Sequence, residues 1–225
     1  MKLLDGPRKE PSKAVTSLVV LIHGYGANGA DLIGLADALA PWLPGAAFVA
    51  PDAPEPLPDF GFGGRQWFPL TFRDPGELWR GVSLAGPVLD RFLDSELERY
   101  RLPPNRLALV GFSQGTMMAL HVGLRRRTAP AAIVGYSGML VGPSGAPPET
   151  MREEIRARPP VLLVHGDADE VIPVEALFFS AQALSSLEVP AQWHLSHGIG
   201  HGIDGEGLRH GGLFLARAFG LPYPA

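Results

Sequence analysis

The chain has 225 residues, enough for one large domain or two small ones, and its 46% of hydrophobic residues excludes an intrinsically disordered protein. Nineteen basic against 23 acidic side chains give a formal charge of -4, so the chain lacks the positive field that holds nucleic acid. Because it contains no cysteine, disulfides, thiolate metal sites and a cysteine nucleophile are excluded.

Residues 1–16 carry scattered charges and no apolar stretch long enough for a signal peptide, so we treat them as an N-terminal extension. The first clean apolar run, 18–22, is far shorter than the roughly 20 residues that span a bilayer. We therefore expect a cytoplasmic protein without integral membrane association.

Six short apolar runs then follow one another along the chain, and nearly all of their residues are apolar. Strands of this kind are buried on both faces, as in a parallel sheet covered by helices. The predicted strands are 17–23, 46–51, 106–112, 131–137, 160–166 and 191–196.

Segments with a helical spacing of apolar residues separate these strands. The predicted helices are 31–40, 77–100, 114–127, 174–187 and 206–219. Alternating strands and helices predict an α/β fold over residues 1–225, a single domain with a mostly parallel central sheet and helices on both faces. Ligands of such sheets bind at the carboxyl ends of the strands.

Two stretches rich in proline and glycine interrupt this alternation, at residues 51–76 and 138–150. Neither is typical of a linker between two independent cores. We interpret both as loop excursions of one domain that lie near its active site.

The pentapeptide 111–115, GFSQG, fits the pattern G-x-S-x-G and lies where a predicted strand meets a predicted helix. A strand that turns this sharply into a helix strains the serine backbone, and small residues two before and two after it avoid a collision. This context favours Ser113 as a nucleophile over an incidental serine in a glycine-flanked turn.

A serine hydroxyl is a poor nucleophile at neutral pH, so a base must take its proton and an acid must orient the base. Two carboxylates follow the strand 160–166. Asp169 lies deeper in the loop that leaves the sheet and is the preferred acid, whereas Asp167 beside Gly166 suits a turn or a cap.

Two histidines follow the strand 191–196. His201, flanked by glycines that let the loop fold over the strand ends, is the natural general base, and His197 is its rival. The glycines argue against a helix that would align both rings on a metal, so no metal site is expected. The histidines His121, His194 and His210 receive no role.

The remaining requirement is a pair of backbone N–H donors for the oxygen that becomes negative in the tetrahedral state. One should be the N–H of Gln114, directly after the nucleophile. The second should come from the loop after the first core strand, and we nominate Tyr25. His23, which leads into that loop, is expected to brace it.

The order Ser113, Asp169, His201 is typical of the α/β-hydrolase fold. The segments LIHGYG, GFSQG, HGDADEVIP and GIGHGID together resemble the phospholipase/carboxylesterase family of α/β-hydrolases, which includes the acyl-protein thioesterases. The resemblance runs from about residue 18 to 219. It implies the same triad, the same oxyanion donors Tyr25 and Gln114, and no cofactor.

Three positions depart from the pattern of that family, namely Tyr25, Pro69 and Thr116. They favour a general carboxylesterase acting on short to medium acyl chains of small-molecule esters. An acyl-protein thioesterase or a lysophospholipase is the alternative. The sequence does not indicate an oligomeric state.

The aromatic residues of the excursion 51–76 include Phe60, Phe62, Trp67 and Phe68. In the family this segment lies beside the active site, so these side chains could line an acyl pocket. They could equally anchor the loop to the core.

Two distant alternatives remain. Residues 24–29 fit the dinucleotide pattern G-x-G-x-x-G between a strand and a helix, which would suggest an oxidoreductase. That interpretation leaves the later serine, aspartate and histidine unexplained. A hydrolase-like binding protein without activity would lack one or more residues of the triad, and this sequence contains all three.

Overall fold

The computed structural model describes residues 3–57, 63–71 and 73–222. The strands in these ranges are β1 (Arg8–Lys9), β2 (Ser17–Ile22), β3 (Ala46–Val49), β4 (Glu55–Pro56), β5 (Arg65–Gln66), β6 (Leu107–Phe112), β7 (Ala132–Tyr136), β8 (Val161–Gly166) and β9 (Ala191–Ser196). The α-helices are α1 (Gly29–Leu32), α2 (Leu35–Leu39), α3 (Glu77–Tyr100), α4 (Gln114–Arg125), α5 (Glu175–Ser186) and α6 (Gly205–Ala218).

Seven of these strands form one sheet in the order β1-β3-β2-β6-β7-β8-β9. Every neighbouring pair in it is parallel except β1 with β3. The predicted α/β fold with a mostly parallel sheet is therefore confirmed. All six predicted strands are present, with ends that differ by at most two residues.

The core lies on both faces of this sheet, which explains why its central strands β2, β3, β6, β7 and β8 are largely apolar. In β2, Leu18, Val20 and Ile22 face one buried cluster, which α3, α4 and α5 cover. Val19 and Leu21 face a second cluster, covered by α1, α2 and α6. Side chains alternate between the two faces of a strand, so a strand between two helical layers must be apolar at every position.

Residues 31–40 do not form the single helix that their periodicity predicts. The chain makes two short helices, α1 and α2, with Gly34 between them. Around this break the backbone N–H groups of Ala36 and Asp37 donate to carbonyls three residues back, those of Ile33 and Gly34. Both helices present apolar residues to the same cluster, so the spacing gave no sign of the break.

The N-terminal extension contributes strand β1, which pairs with β3 at the sheet edge. Its Arg8 guanidinium donates two hydrogen bonds to the buried carboxylate of Glu96 in α3, at 2.7 and 3.0 Å. Two charged residues carry no strand pattern, so the sequence gave no signal for this strand.

Within the described ranges, no helix combines the length and the apolar character needed to cross a bilayer.

Candidate active site

Ser113 lies at the turn between β6 and α4, at the carboxyl end of the sheet. Its backbone angles, φ 54° and ψ -118°, fall in a region that residues other than glycine rarely adopt. The Ser113 N–H donates to the carbonyl of Tyr136 at 2.9 Å, and the Ser113 carbonyl accepts from Thr116 at 2.9 Å. The strained turn is thus held by β7 on one side and by α4 on the other.

The two glycines of the motif are required by close backbone approaches. A Cβ atom at Gly115 would lie 1.9 Å from the carbonyl oxygen of Ile22, and one at Gly111 would lie 2.5 Å from the backbone of Gly115. The steric reason for G-x-S-x-G that the sequence suggested is therefore present in the structure.

Asp169 lies in the loop after β8 with its carboxylate buried. Its Oδ1 accepts hydrogen bonds from the N–H groups of Val171 and Ile172, both at 2.9 Å. Burial alone would raise the pKa of this carboxyl, but the hydrogen bonds from Ile172, His201 and Val171 outweigh it and lower the pKa below its usual value. Asp169 is therefore held as an anion.

His201 makes the hydrogen bond that orients its ring through Nδ1, which lies 2.8 Å from Oδ2 of Asp169. The ring packs on Phe112, the residue before Ser113, with 5.0 Å between the ring centroids. Its side chain is about one-fifth exposed. Since Nδ1 is engaged by the carboxylate, Nε2 is the ring nitrogen left for a second partner.

Asp167 and His197, the alternatives to Asp169 and His201, form a second pair. His197 Nδ1 lies 2.9 Å from Oδ2 of Asp167, and Asp167 Oδ1 accepts a hydrogen bond from the Gly198 N–H at 2.6 Å. These two contacts, that with His197 first, lower the pKa of the Asp167 carboxyl. The His197 side chain is 84% exposed, so this pair lies in solvent.

The loop 197–204 carries both histidines and packs directly on the loop after β8. The Ala168 N–H donates to the carbonyl of Ile199 at 3.0 Å. A Cβ atom at Gly166 would lie 2.1 Å from that same carbonyl oxygen. At its far end the loop is held by Asp204, which caps α6 and accepts a hydrogen bond from the Ser196 hydroxyl at 2.8 Å.

The nominated oxyanion donors lie on segments that meet at Ser113. A Cβ atom at Gly24 would lie 3.2 Å from Cβ of Ser113, so the loop that carries Tyr25 passes close to the serine. Gln114 begins α4, and a backbone N–H in the first turn of a helix has no partner inside that helix. The Gln114 side chain binds elsewhere, accepting from the Trp67 N–H at 2.9 Å and donating to the Phe68 carbonyl at 2.8 Å.

His23 braces the loop, as its position after β2 suggested. Its Nε2 accepts a hydrogen bond from the Ala53 N–H at 3.0 Å, and its Nδ1 lies 2.8 Å from the Gly24 carbonyl. Burial lowers the pKa of this imidazole. A neutral ring with its proton on Nδ1 satisfies both contacts.

The aromatic residues of the excursion 51–76 divide into two groups. Trp67 and Phe68 are buried in the core, and the Trp67 indole N–H donates to the His23 carbonyl at 2.9 Å. Their burial supports the anchoring interpretation, and their lining of an acyl pocket stays a prediction. Phe60 and Phe62 lie outside the described residues.

An apolar groove of about 430 Å³ lies between the excursion 138–150 and α5. Its lining includes Met139, Leu140, Met151, Pro173 and Phe179. Its lining residue Met139 follows Gly138, where a Cβ atom would lie 2.8 Å from the Ser113 carbonyl oxygen. The sequence placed the excursion near the site, but apolar residues scattered among prolines and glycines gave no pattern that predicts a groove.

The glycine-rich segment 24–29 is not built as a dinucleotide site. Asp52 Oδ1 accepts the Gly29 N–H at 2.9 Å, and the Asn28 side chain accepts from Ala30 and Asp31 in the first turn of α1. These groups occupy the donors that a pyrophosphate would need. The dinucleotide alternative therefore lacks its binding site.

Comparison with known proteins adds a family match over nearly the whole chain. The pattern of a family described as phospholipase/carboxylesterase matches residues 9–217. The crystal structure of esterase PE8 superposes with a TM-score of 0.89 and 41% identity, covering 96% of this chain and 100% of that one.

Two curated proteins also align over most of their length. Acyl-protein thioesterase 1 of Gibberella zeae is 27% identical over 216 residues, covering 90% of each chain. Esterase YpfH of Escherichia coli is 23% identical over 201 residues, covering 89% of this chain and 82% of that protein. Proteins similar to this chain are thus named both as esterases and as thioesterases.

Proposed function

Because this chain belongs to the phospholipase/carboxylesterase family, a family of ester hydrolases, we propose that it cleaves carboxylic esters through an acyl-enzyme formed on Ser113. One observation carries the proposal. The buried pair Asp169–His201 packs its imidazole on Phe112, directly beside the strained backbone of the serine.

In the proposed mechanism, His201 takes the proton of the Ser113 hydroxyl as that oxygen attacks the acyl carbonyl. Asp169 keeps the proton of the neutral ring on Nδ1, so that Nε2 is the accepting atom. The buried anion then stabilises the imidazolium that forms. His201 returns the proton to the leaving alcohol, which separates as the acyl-enzyme forms.

The second half of the reaction repeats these roles with water as the nucleophile. His201 removes a proton from water, the hydroxide oxygen attacks the acyl carbon, and the Ser113 oxygen leaves with a proton from His201. In both halves the N–H groups of Tyr25 and Gln114 are proposed to stabilise the negative oxygen. Donors of this kind contribute roughly 10²–10³-fold to the rate each.

For the substrate, we propose esters with short to medium acyl chains, and the apolar groove beside Ser113 supports this choice. Apolar walls with few polar groups suit a hydrocarbon chain. Phe179 in its lining is 69% exposed, so the groove meets solvent at that residue and chains of different length can extend there. Thioesters of the same acyl groups are the second candidate, which the similar acyl-protein thioesterase 1 favours.

The test is hydrolysis of p-nitrophenyl esters from acetyl to octanoyl by the wild type and by Ser113→Ala. We expect the variant to lose about 10⁴–10⁶-fold in kcat/KM, since removal of the nucleophile leaves only binding and oxyanion stabilisation. Ser95→Ala is the matched control, because that hydroxyl lies in α3 and donates to the Phe92 carbonyl of the same helix. Undiminished turnover by Ser113→Ala would contradict the proposal.

The same panel with octanoyl p-nitrophenyl ester and octanoyl thioester separates the two substrate classes. A higher kcat/KM for the ester supports the carboxylesterase proposal, and a higher value for the thioester supports the alternative. The profile against acyl length tests the groove, since a flat profile from acetyl to octanoyl would contradict an acyl-binding role for it.

A further inference from the structure

A cluster of two histidines and a glutamate lies between the edge strand and the last helix, outside the site described above. His194 lies on β9, and Glu206 and His210 lie four residues apart on α6. One ligand atom from each residue lies within 4.8 Å of the other two. Residues four apart on a helix share a face, so α6 presents both of its groups towards the same point.

The histidine rings are placed in a way that their own hydrogen bonds do not explain. Their centroids are 4.2 Å apart, and the ring planes are inclined by 34°. His194 Nε2 is buried and makes no hydrogen bond to any group in the described part of the chain. Buried polar atoms are normally satisfied, so an orphaned nitrogen at a cluster of potential ligands points to an absent partner.

We propose that His194, Glu206 and His210 form a binding site for a divalent transition metal, with Zn²⁺ as the best match. Two imidazoles and one carboxylate are a ligand set that zinc uses, with a fourth position for water. Magnesium and calcium prefer oxygen ligands, so the two nitrogens argue against them.

Binding of a metal requires the ligand atoms of the cluster to move slightly closer together. Ligands of a tetrahedral zinc with bonds of about 2.0–2.1 Å lie about 3.3 Å apart. His210 Nε2 and Glu206 Oε1 are 3.9 Å apart, and their side chains are 40% and 66% exposed. Rotation of these two exposed side chains can bring them onto a metal held by the partly buried ring of His194 on β9.

The site would join two elements that flank the loop 197–204. β9 ends at Ser196 and α6 begins at Gly205, so a metal held by both connects the two ends of the segment that carries His201. The proposed metal is a structural one. It does not take part in the reaction at Ser113.

The first test is a calorimetric titration of the EDTA-treated protein with Zn²⁺ alone. We expect one equivalent to bind. His210→Ala and Glu206→Gln should each weaken binding by at least about 100-fold, because loss of even an outer partner of a metal ligand costs about 10–100-fold. Both side chains are partly exposed on α6, so both variants should fold, which thermal unfolding without metal verifies.

His201→Ala is the matched control, since it removes an imidazole outside the cluster, that of the Asp169–His201 pair. It leaves His194, Glu206 and His210 intact. It should bind Zn²⁺ as the wild type does. A second readout is thermal unfolding, in which Zn²⁺ should raise the Tm of the wild type and of His201→Ala but not that of Glu206→Gln.

Any of three results would overturn the proposal. These are no zinc binding by the wild type, unchanged affinity in both His210→Ala and Glu206→Gln, and loss of binding in His201→Ala alone. The last result would place the metal on the candidate active site instead.

Discussion

Two aspartate–histidine pairs join the same two loops, and they differ in their surroundings. Asp169 and His201 meet at 2.8 Å with the carboxylate buried, whereas Asp167 and His197 meet at 2.9 Å with the imidazole 84% exposed. The hydrogen bonds are nearly identical in length. Only the ring of His201 packs against the residue next to Ser113.

The comparison shows that a carboxylate–imidazole distance does not identify a catalytic pair. Asp169 accepts two further backbone hydrogen bonds and keeps its charge away from water, so its influence on the imidazole is weakly screened. Asp167 also accepts a backbone hydrogen bond, but solvent screens its pair. Burial and the neighbouring serine turn distinguish the two pairs.

The largest expected effect comes from removing one imidazole at a time. We expect His201→Ala to lower kcat/KM on a p-nitrophenyl ester by about 10⁴–10⁶-fold, because the base of the mechanism is lost. His197→Ala should change it by less than about threefold, since an exposed ion pair contributes little. Steady-state kinetics of both variants measure the contrast, and equal losses would remove the distinction between the pairs.

A somewhat smaller effect is expected from the carboxylates. Asp169→Asn should lower kcat by roughly 10³–10⁴-fold, because an amide N–H facing Nδ1 favours the tautomer with its proton on Nε2. That ring could no longer accept the serine proton. Asp167→Asn is the matched substitution and should leave kcat near the wild-type value. A loss in Asp167→Asn as large as in Asp169→Asn would show that the exposed pair takes part in catalysis.

The smallest effect concerns the packing that holds both pairs in place. Gly166→Ala puts a Cβ atom against the Ile199 carbonyl and should reduce the free energy of unfolding by about 1–3 kcal/mol, as overpacking does. Gly202→Ala, in the same loop as Ile199, meets no atom within 4 Å and should be nearly neutral. Urea unfolding measures both. Equal stabilities would mean that the loop moves aside without cost.

Much of the fold could be predicted because its signals are local. Five of the six predicted strands are largely apolar, β9 being the exception, and four of the five predicted helices follow their stripes to within two residues. What the sequence did not indicate depends on distant contacts. Strand β1 is held through Arg8 and the buried Glu96, and the helix 31–40 breaks although its apolar spacing continues.

For the candidate site, the order of motifs was enough to prefer Asp169 and His201, but it did not predict that Asp167 and His197 form a second pair. Asp167 and Asp169, like His197 and His201, lie so close along the chain that only the packing of two loops decides which side chain is buried. The apolar groove and the cluster of His194, Glu206 and His210 arise between elements that are far apart in sequence. No periodic pattern in the sequence predicts that residues of such distant elements lie close together.

The position of β2 within the sheet has a consequence for biosynthesis. This strand leaves the ribosome before both of its neighbours in the sheet, β3, which follows it closely, and β6, which begins only at Leu107. Until β6 emerges, one edge of this largely apolar strand has no neighbour to pair with, a state that invites association between nascent chains. Chaperone demand during translation should therefore be greatest before β6 emerges.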